Sequence, residues 1–199
     1  MAQVTLALRE AQTWPSAHLV GHSMGGLIAL HVALSACERV RSLSLLCSFL
    51  RGRDTLRLTP AMLRTGLRTR IGTKPHRRKA FLEIVMPPSA LDRSDHARMA
   101  SELAPLVGHD LAGQPPVSTK QLSALVRYDA TPRLHQLAGL PTLVRSAAQD
   151  RIASPDVGRS MATAIPGARF IEIPDASHAA TIQHAERVNA LLLDHVRRS

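Results

Sequence analysis

A chain of 199 residues with 45% hydrophobic and 20% charged residues holds enough apolar material for one folded domain and is too apolar to stay disordered. The formal net charge is +10 at pH 7, and no stretch comes near the ~18 consecutive apolar residues of a membrane span. Aromatic residues make up 3%, so any core must be built from Leu, Val, Ile and Ala. Met1–Trp14 carries Arg9 and Glu10 and lacks the basic start, apolar centre and small-residue cleavage site of a secretory signal. The two cysteines, Cys37 and Cys47, then read as buried thiols instead of a disulfide framework, and the expected location is the cytoplasm.

Residues 3–13 read as a helix through Val4, Leu6, Ala7 and Ala11, broken at Pro15-Ser16. Residues 17–22 read as a strand, 24–36 as an apolar helix and 40–48 (VRSLSLLCS) as a second strand. A strand–helix–strand unit predicts parallel neighbours joined by a right-handed crossover. Residues 49–135 change character: they are rich in Arg, Pro and His, with helical patterns near 60–70, 76–86, 94–106 and 118–128, punctuated by Pro87-Pro88 and Pro115-Pro116. The strand pattern returns at Thr142–Ser146, a helix follows from Pro155 to Ile165, and ARFIEI at 168–173 alternates as a strand. Residues 180–197 form a closing amphipathic helix.

Arginine supplies 22 of the 25 basic residues, and Arg51, Arg53, Arg57, Arg64, Arg68, Arg70, Arg77, Arg78 and Lys79 crowd one stretch. Such a cluster reads either as a phosphate-binding surface or as a solvated helical face. The second reading is favoured: Phe49 and Phe81 alone lie near it, which makes no stacking platform for bases, and no module spacing accompanies it. Nucleic acid is therefore not an expected partner.

The chemistry concentrates at Gly21-His22-Ser23-Met24-Gly25-Gly26, between the first strand and its helix. A G-x-S-x-G turn in that context holds a serine hydroxyl up on a strained backbone, with Gly21 and Gly25 leaving room on either side and Gly26 letting the helix pack on the strand. A serine needs a base within hydrogen-bond reach, and the base needs an orienting acid. Sites in open parallel sheets lie beyond the carboxyl ends of strands. Asp150 follows the strand 142–146 and His178 follows the strand 168–173, on the same edge as Ser23. Asp156 and Asp175 are rival acids, the first expected as a helix N-terminal charge and the second as a turn residue. His22 reads as a structural side chain at a variable position of the turn.

These residues resemble the α/β-hydrolase family, through LVGHSMGG at 19–26, PTLVRSAAQDRIASP at 141–155 and DASHAATIQHAERVNALLLDHV at 175–196. The resemblance implies a partial α/β-hydrolase fold: a mostly parallel sheet of about four strands in 1–48 and 136–199, with 49–135 as a helical cap. It implies Ser23 as nucleophile, Asp150 as acid, His178 as base and the N–H of Met24 as an oxyanion donor. No cofactor and no metal are implied, and the substrate is a small carboxylic ester or lactone. Carboxylesterases, enol-lactonases and C–C bond hydrolases are similar chains. In that family the elbow follows the fifth strand of eight, whereas here it follows the first. The chain is therefore expected to be the C-terminal two-thirds of a hydrolase, lacking the loop that supplies a second oxyanion donor. The expected causes are a misassigned start, a degenerate gene, or a second copy or partner chain that covers the open sheet edge. An inactive hydrolase fragment and a basic interaction module are the alternative functions.

Overall fold

A computed structural model of the protein describes residues 1–56, 59–92, 95–113 and 117–199. Arg57 of the basic cluster, Ser94 at an expected helix start and the Pro115-Pro116 pair lie outside the described residues. Four strands, β1 (Ala17–His22), β2 (Val40–Leu46), β3 (Thr142–Ala147) and β4 (Arg169–Ile173), pair in parallel in that order. This is the parallel four-stranded sheet expected from the sequence. The register aligns His22 with Leu46, Leu46 with Arg145 and Arg145 with Ile171. All four strands therefore end on one rim, and the chain segments that leave this rim carry Ser23, Asp150 and His178.

Burial follows position in the sheet. Every residue of β3 is buried, as are all of β2 except Arg41, because helices or sheet neighbours enclose central parallel strands. β1 is the edge, and its Val20 is 50% exposed. Helix α1 (Ala2–Ala11) stops two residues before its expected end, and Thr13 turns the chain at φ 55°. Helix α2 (Met24–Ser35) presses Leu30, Ala33 and Leu34 against Leu43, Leu45 and Val144 of the sheet. Leu30, Leu43 and Leu143 are each fully buried, and each such side chain contributes about 1.5–3 kcal/mol through burial.

Between β2 and β3 the chain is helical, as expected: α3 (Pro60–Arg68), α4 (Lys74–Val85), α5 (Pro88–Leu91), α6 (His96–Val107) and α7 (Val117–Val126). α5 was not expected; Pro88 opens that helix at its first turn, where a missing N–H costs nothing, instead of interrupting the chain. Thr59 caps α3 by accepting from Met62 N at 3.2 Å, Asp95 caps α6 by accepting from Ala97 N at 2.8 Å, and Gly108 ends α6 at φ 83°. Leu82, Val85, Met86, Ala100, Leu103 and Leu111 form a core of their own with Ala179. The two ends of this helical segment lie side by side: Gly52 N donates to Tyr128 O and Ala130 N to Leu50 O. Phe49, Leu50, Ala130, Leu134 and Leu137 pack into the sheet's own clusters.

Three arginines of the basic cluster meet carboxylates of the same chain: Arg51 with Asp54, Arg68 with Glu83 and Arg78 with Asp110. Phe49 is buried in the core and offers nothing to that surface. Helix α8 (Pro155–Ala164) precedes β4, with Asp156 in its first turn. The expected closing helix is two: α9 (Ala180–Gln183) and α10 (Ala185–Arg197), separated at His184, whose ψ of 42° breaks the ladder. Cys37 is half-buried, not buried as expected, while Cys47 is buried, and both are free thiols. Among the described residues, no helix is long and apolar enough to cross a membrane.

Candidate active site

Ser23 sits between β1 and α2 at φ 53° and ψ −122°, a conformation that costs an ordinary side chain on the order of 1–3 kcal/mol. Three hydrogen bonds hold the turn. Ser23 N donates to Leu46 O at 2.9 Å, Gly26 N donates to Ser23 O at 2.9 Å, and Ser48 Oγ donates to the same carbonyl at 2.8 Å. A Cβ at Gly21 would strike the backbone of Gly25, and one at Gly26 would strike the Ser48 side chain. Gly25 is different from expectation: a Cβ there meets nothing within 4 Å, so crowding requires glycine at 21 and 26 but not at 25. The amides of Met24 and Gly25 open α2, where the first N–H groups have no partner within the helix and the dipole is positive.

The acid and the imidazole arrive on neighbouring loops that are clipped together. Ala148 N donates to Ile173 O, Gln149 N donates to Ala176 O, and Ser177 Oγ donates to Gln149 O. Asp150 is buried, and its Oδ1 accepts from the amides of Ile152 at 2.8 Å and Ala153 at 2.9 Å. Its Oδ2 accepts from His178 Nδ1 at 2.8 Å. The other ring nitrogen, Nε2, lies 3.0 Å from Ser23 Oγ, which donates to it in the tautomer that carries the proton on Nδ1. The structure thus brings Ser23, His178 and Asp150 into one chain of hydrogen bonds. The rival acids stand elsewhere. Asp156 belongs to the first turn of α8, and the Asp175 carboxylate reaches His184 and Arg187 at 3.9 and 3.8 Å.

Three further side chains act on this arrangement. His22 donates Nε2–H to the carbonyl of His178 at 2.9 Å, and the two rings lie 4.9 Å apart. Burial, then the neighbouring His178, hold the His22 imidazole below its ordinary pKa, so it is neutral near pH 7. Ser48 fastens the elbow as described. Cys47, at φ 45°, is buried, and burial followed by the facing Asp150 carboxylate pushes its thiol far above the usual range, so it stays protonated. The β1–β2 register, which sets Gly21 opposite Leu45 and His22 opposite Leu46, carries residues 47 and 48 up to the elbow. No local sequence signal marks that pairing.

Two clefts flank the serine. One, of about 590 Å³, is lined by His22, His178 and apolar side chains of α4, α6 and α9. The other, of about 270 Å³, is lined by Met24, Leu27, His31, Leu125 and Tyr128. Among the described residues, no three His, Cys, Asp or Glu side chains converge as a metal site.

The family model for the alpha/beta hydrolase fold matches residues 1–185. This chain belongs to the alpha/beta hydrolase family. It is 29% identical over 88% of its length to RutD of Klebsiella pneumoniae, provisionally named a carbamate hydrolase, and it spans 64% of that protein. It is 28% identical over 94% of its length to the pimeloyl-[acyl-carrier protein] methyl ester esterase of Neisseria meningitidis, spanning 72% of it. Among solved structures, Rv0554 of Mycobacterium tuberculosis superposes with a TM-score of 0.81 at 25% identity, over the whole of this chain and 71% of the other. The chain thus spans between about 64% and 72% of the length of these proteins.

Proposed function

We propose that the protein is a serine hydrolase that transfers an acyl group from a small carboxylic ester or lactone to water. Ser23 Oγ adds to the substrate carbonyl while its proton passes to His178 Nε2. The oxyanion that forms is held by the N–H of Met24 at the head of α2. Collapse expels the alkoxide, which takes the proton back from His178, and leaves the acyl group on Ser23. A water molecule then loses a proton to His178 as it adds to the acyl-serine; the tetrahedral intermediate collapses, Ser23 Oγ leaves and takes that proton from His178, and the carboxylic acid departs. Asp150 accepts from His178 Nδ1, fixes the tautomer of the ring and stabilises its charged form. The observation that carries this reading is the pair of distances at His178, 2.8 Å to Asp150 and 3.0 Å to Ser23. The hydrolase and esterase names of the relatives are consistent with it.

The helical segment 49–135 acts as the cap over the site. Ala179 N, next to His178, donates to Val85 O at 2.9 Å and ties α4 to the imidazole loop. Since Phe49, Leu50, Leu125 and residues from Ala130 onward pack with the sheet, the capping part falls within residues 52–124.

Steady-state hydrolysis of an aryl acetate tests the reading. Ser23→Ala and His178→Ala are expected to lower kcat by about 10⁶-fold, and Asp150→Asn by about 10⁴-fold. A Ser23→Ala protein that keeps kcat within tenfold of the parent would overturn it. A second reading is a hydrolase scaffold that acylates but turns over slowly. It draws on the assignment of a single oxyanion donor, since loss of one such donor costs about 10²–10³ in kcat. It predicts stoichiometric release of the aryl alcohol followed by a stall.

A further inference from the structure

The cleft of about 590 Å³ beside His178 has an unusual composition for this chain. Phe81 and Val85 stand four residues apart on α4, and Leu103 and Val107 four apart on α6, so each helix turns one apolar stripe toward it. Ile182 of α9 faces it from the side of the imidazole loop. The protein has 25 Lys and Arg residues, yet among the described residues that line this cleft none is charged. Arg78 and Lys79 of α4 line a separate hollow with His76 and His96, and Arg77, one turn before Phe81, is not among the residues that line this cleft. His22, on the floor, has committed its Nε2–H to the His178 carbonyl. Burial keeps that ring neutral, so the floor adds no fixed charge. A charged group placed here would lose part of its water and find no fixed counter-ion among the lining residues. The volume suits a ligand of ordinary small-molecule size.

We infer that this cleft binds an uncharged, apolar chain attached to the reacting carbonyl, and that Leu103 and Val107 of α6 select it against chains ending in a carboxylate. The inference rests on the serine-hydrolase reading of Ser23 and His178.

The test uses three substrate sets: aryl esters from acetate to octanoate, alkyl acetates from ethyl to octyl, and aryl half-esters of dicarboxylic acids. The first set places the chain on the acyl side and the second on the alkoxy side. In the first set kcat/KM is expected to rise about two- to fourfold per methylene, and a rise confined to the second set would overturn the inference. The half-esters are expected to react at least tenfold more slowly than neutral esters of equal length. Val107→Arg, at a partly exposed position that tolerates a long side chain, is expected to flatten the chain-length series and to narrow the half-ester deficit about tenfold. Leu106→Arg, on the more exposed neighbour, serves if Val107→Arg does not fold. Half-esters that react as fast as neutral esters, or a Val107→Arg protein with unchanged preferences, would overturn the inference. Titration with octanamide, read from the methyl resonances of Val107 and Ile182, separates this failure from failure of the hydrolase reading. Saturable shifts without turnover would support the cleft and sink the chemistry; turnover without shifts would do the reverse.

Discussion

At the scale of single residues, the elbow is held by contacts that differ from one glycine to the next. A methyl group at Gly26 must displace Ser48, whose hydroxyl anchors the Ser23 carbonyl. Overpacking of this kind costs roughly 1–3 kcal/mol, so Gly26→Ala is expected to lower the stability measured by urea unfolding by that amount. Gly25 opens onto free space within α2, and Gly25→Ala is expected to be neutral or to stabilise by up to about 1 kcal/mol. Equal losses in the two variants would show that crowding does not set the elbow. His22 is proposed as a positioning residue: its Nε2–H donates to the carbonyl of His178 and holds the loop that carries this imidazole. His22→Phe keeps the ring and loses the donor, and is expected to lower kcat about tenfold. It should also broaden the downfield proton signal of the Asp150–His178 hydrogen bond. His22→Gln keeps an N–H donor and is expected to restore most of both. Identical behaviour of Gln and Phe would leave His22 a space-filler.

At the scale of elements, what the sequence discloses is what neighbouring residues decide. The runs at 17–22, 142–146 and 168–173 can be read as strands, and the G-x-S-x-G spacing from Gly21 to Gly25 marks the turn. The order Ser23, Asp150, His178 can be read because each follows such a run. Contributions that depend on pairing between distant segments are hidden. Cys47 and Ser48 look like the tail of a strand, and only the β1–β2 register brings them to Ser23. The break at His184 is hidden for a different reason. The amphipathic pattern runs through it without interruption, while His184 and its neighbours are drawn to Asp175 and to the imidazole loop. The helices between β2 and β3 are legible from composition, but the apolar stripe that α4 and α6 share is a property of their packing. The arginine-rich stretch reads as one cluster in the sequence. In three dimensions Arg51, Arg68 and Arg78 meet Asp54, Glu83 and Asp110; the Arg68 and Arg78 pairs are partly exposed and of small individual worth, while Asp54 is buried.

At the scale of the whole molecule, a parallel sheet gathers onto one rim three side chains that lie 127 and 28 positions apart in the sequence, at 23, 150 and 178. The loops are cross-linked to one another and to α4, so the relay is positioned by the sheet and not by any one segment. The opposite consequence of this architecture is the edge at β1, where Val20 is half-exposed and the strand can accept a further one. The central claim is that distant loops make the hydroxyl of Ser23 nucleophilic. Labelling with a fluorophosphonate, followed by mass mapping of the modified peptide, tests it most directly. The account predicts one adduct, on Ser23, whose rate of formation falls by at least 10³-fold in His178→Ala. An adduct on another residue, or a His178→Ala protein labelled on Ser23 as fast as the parent, would contradict it.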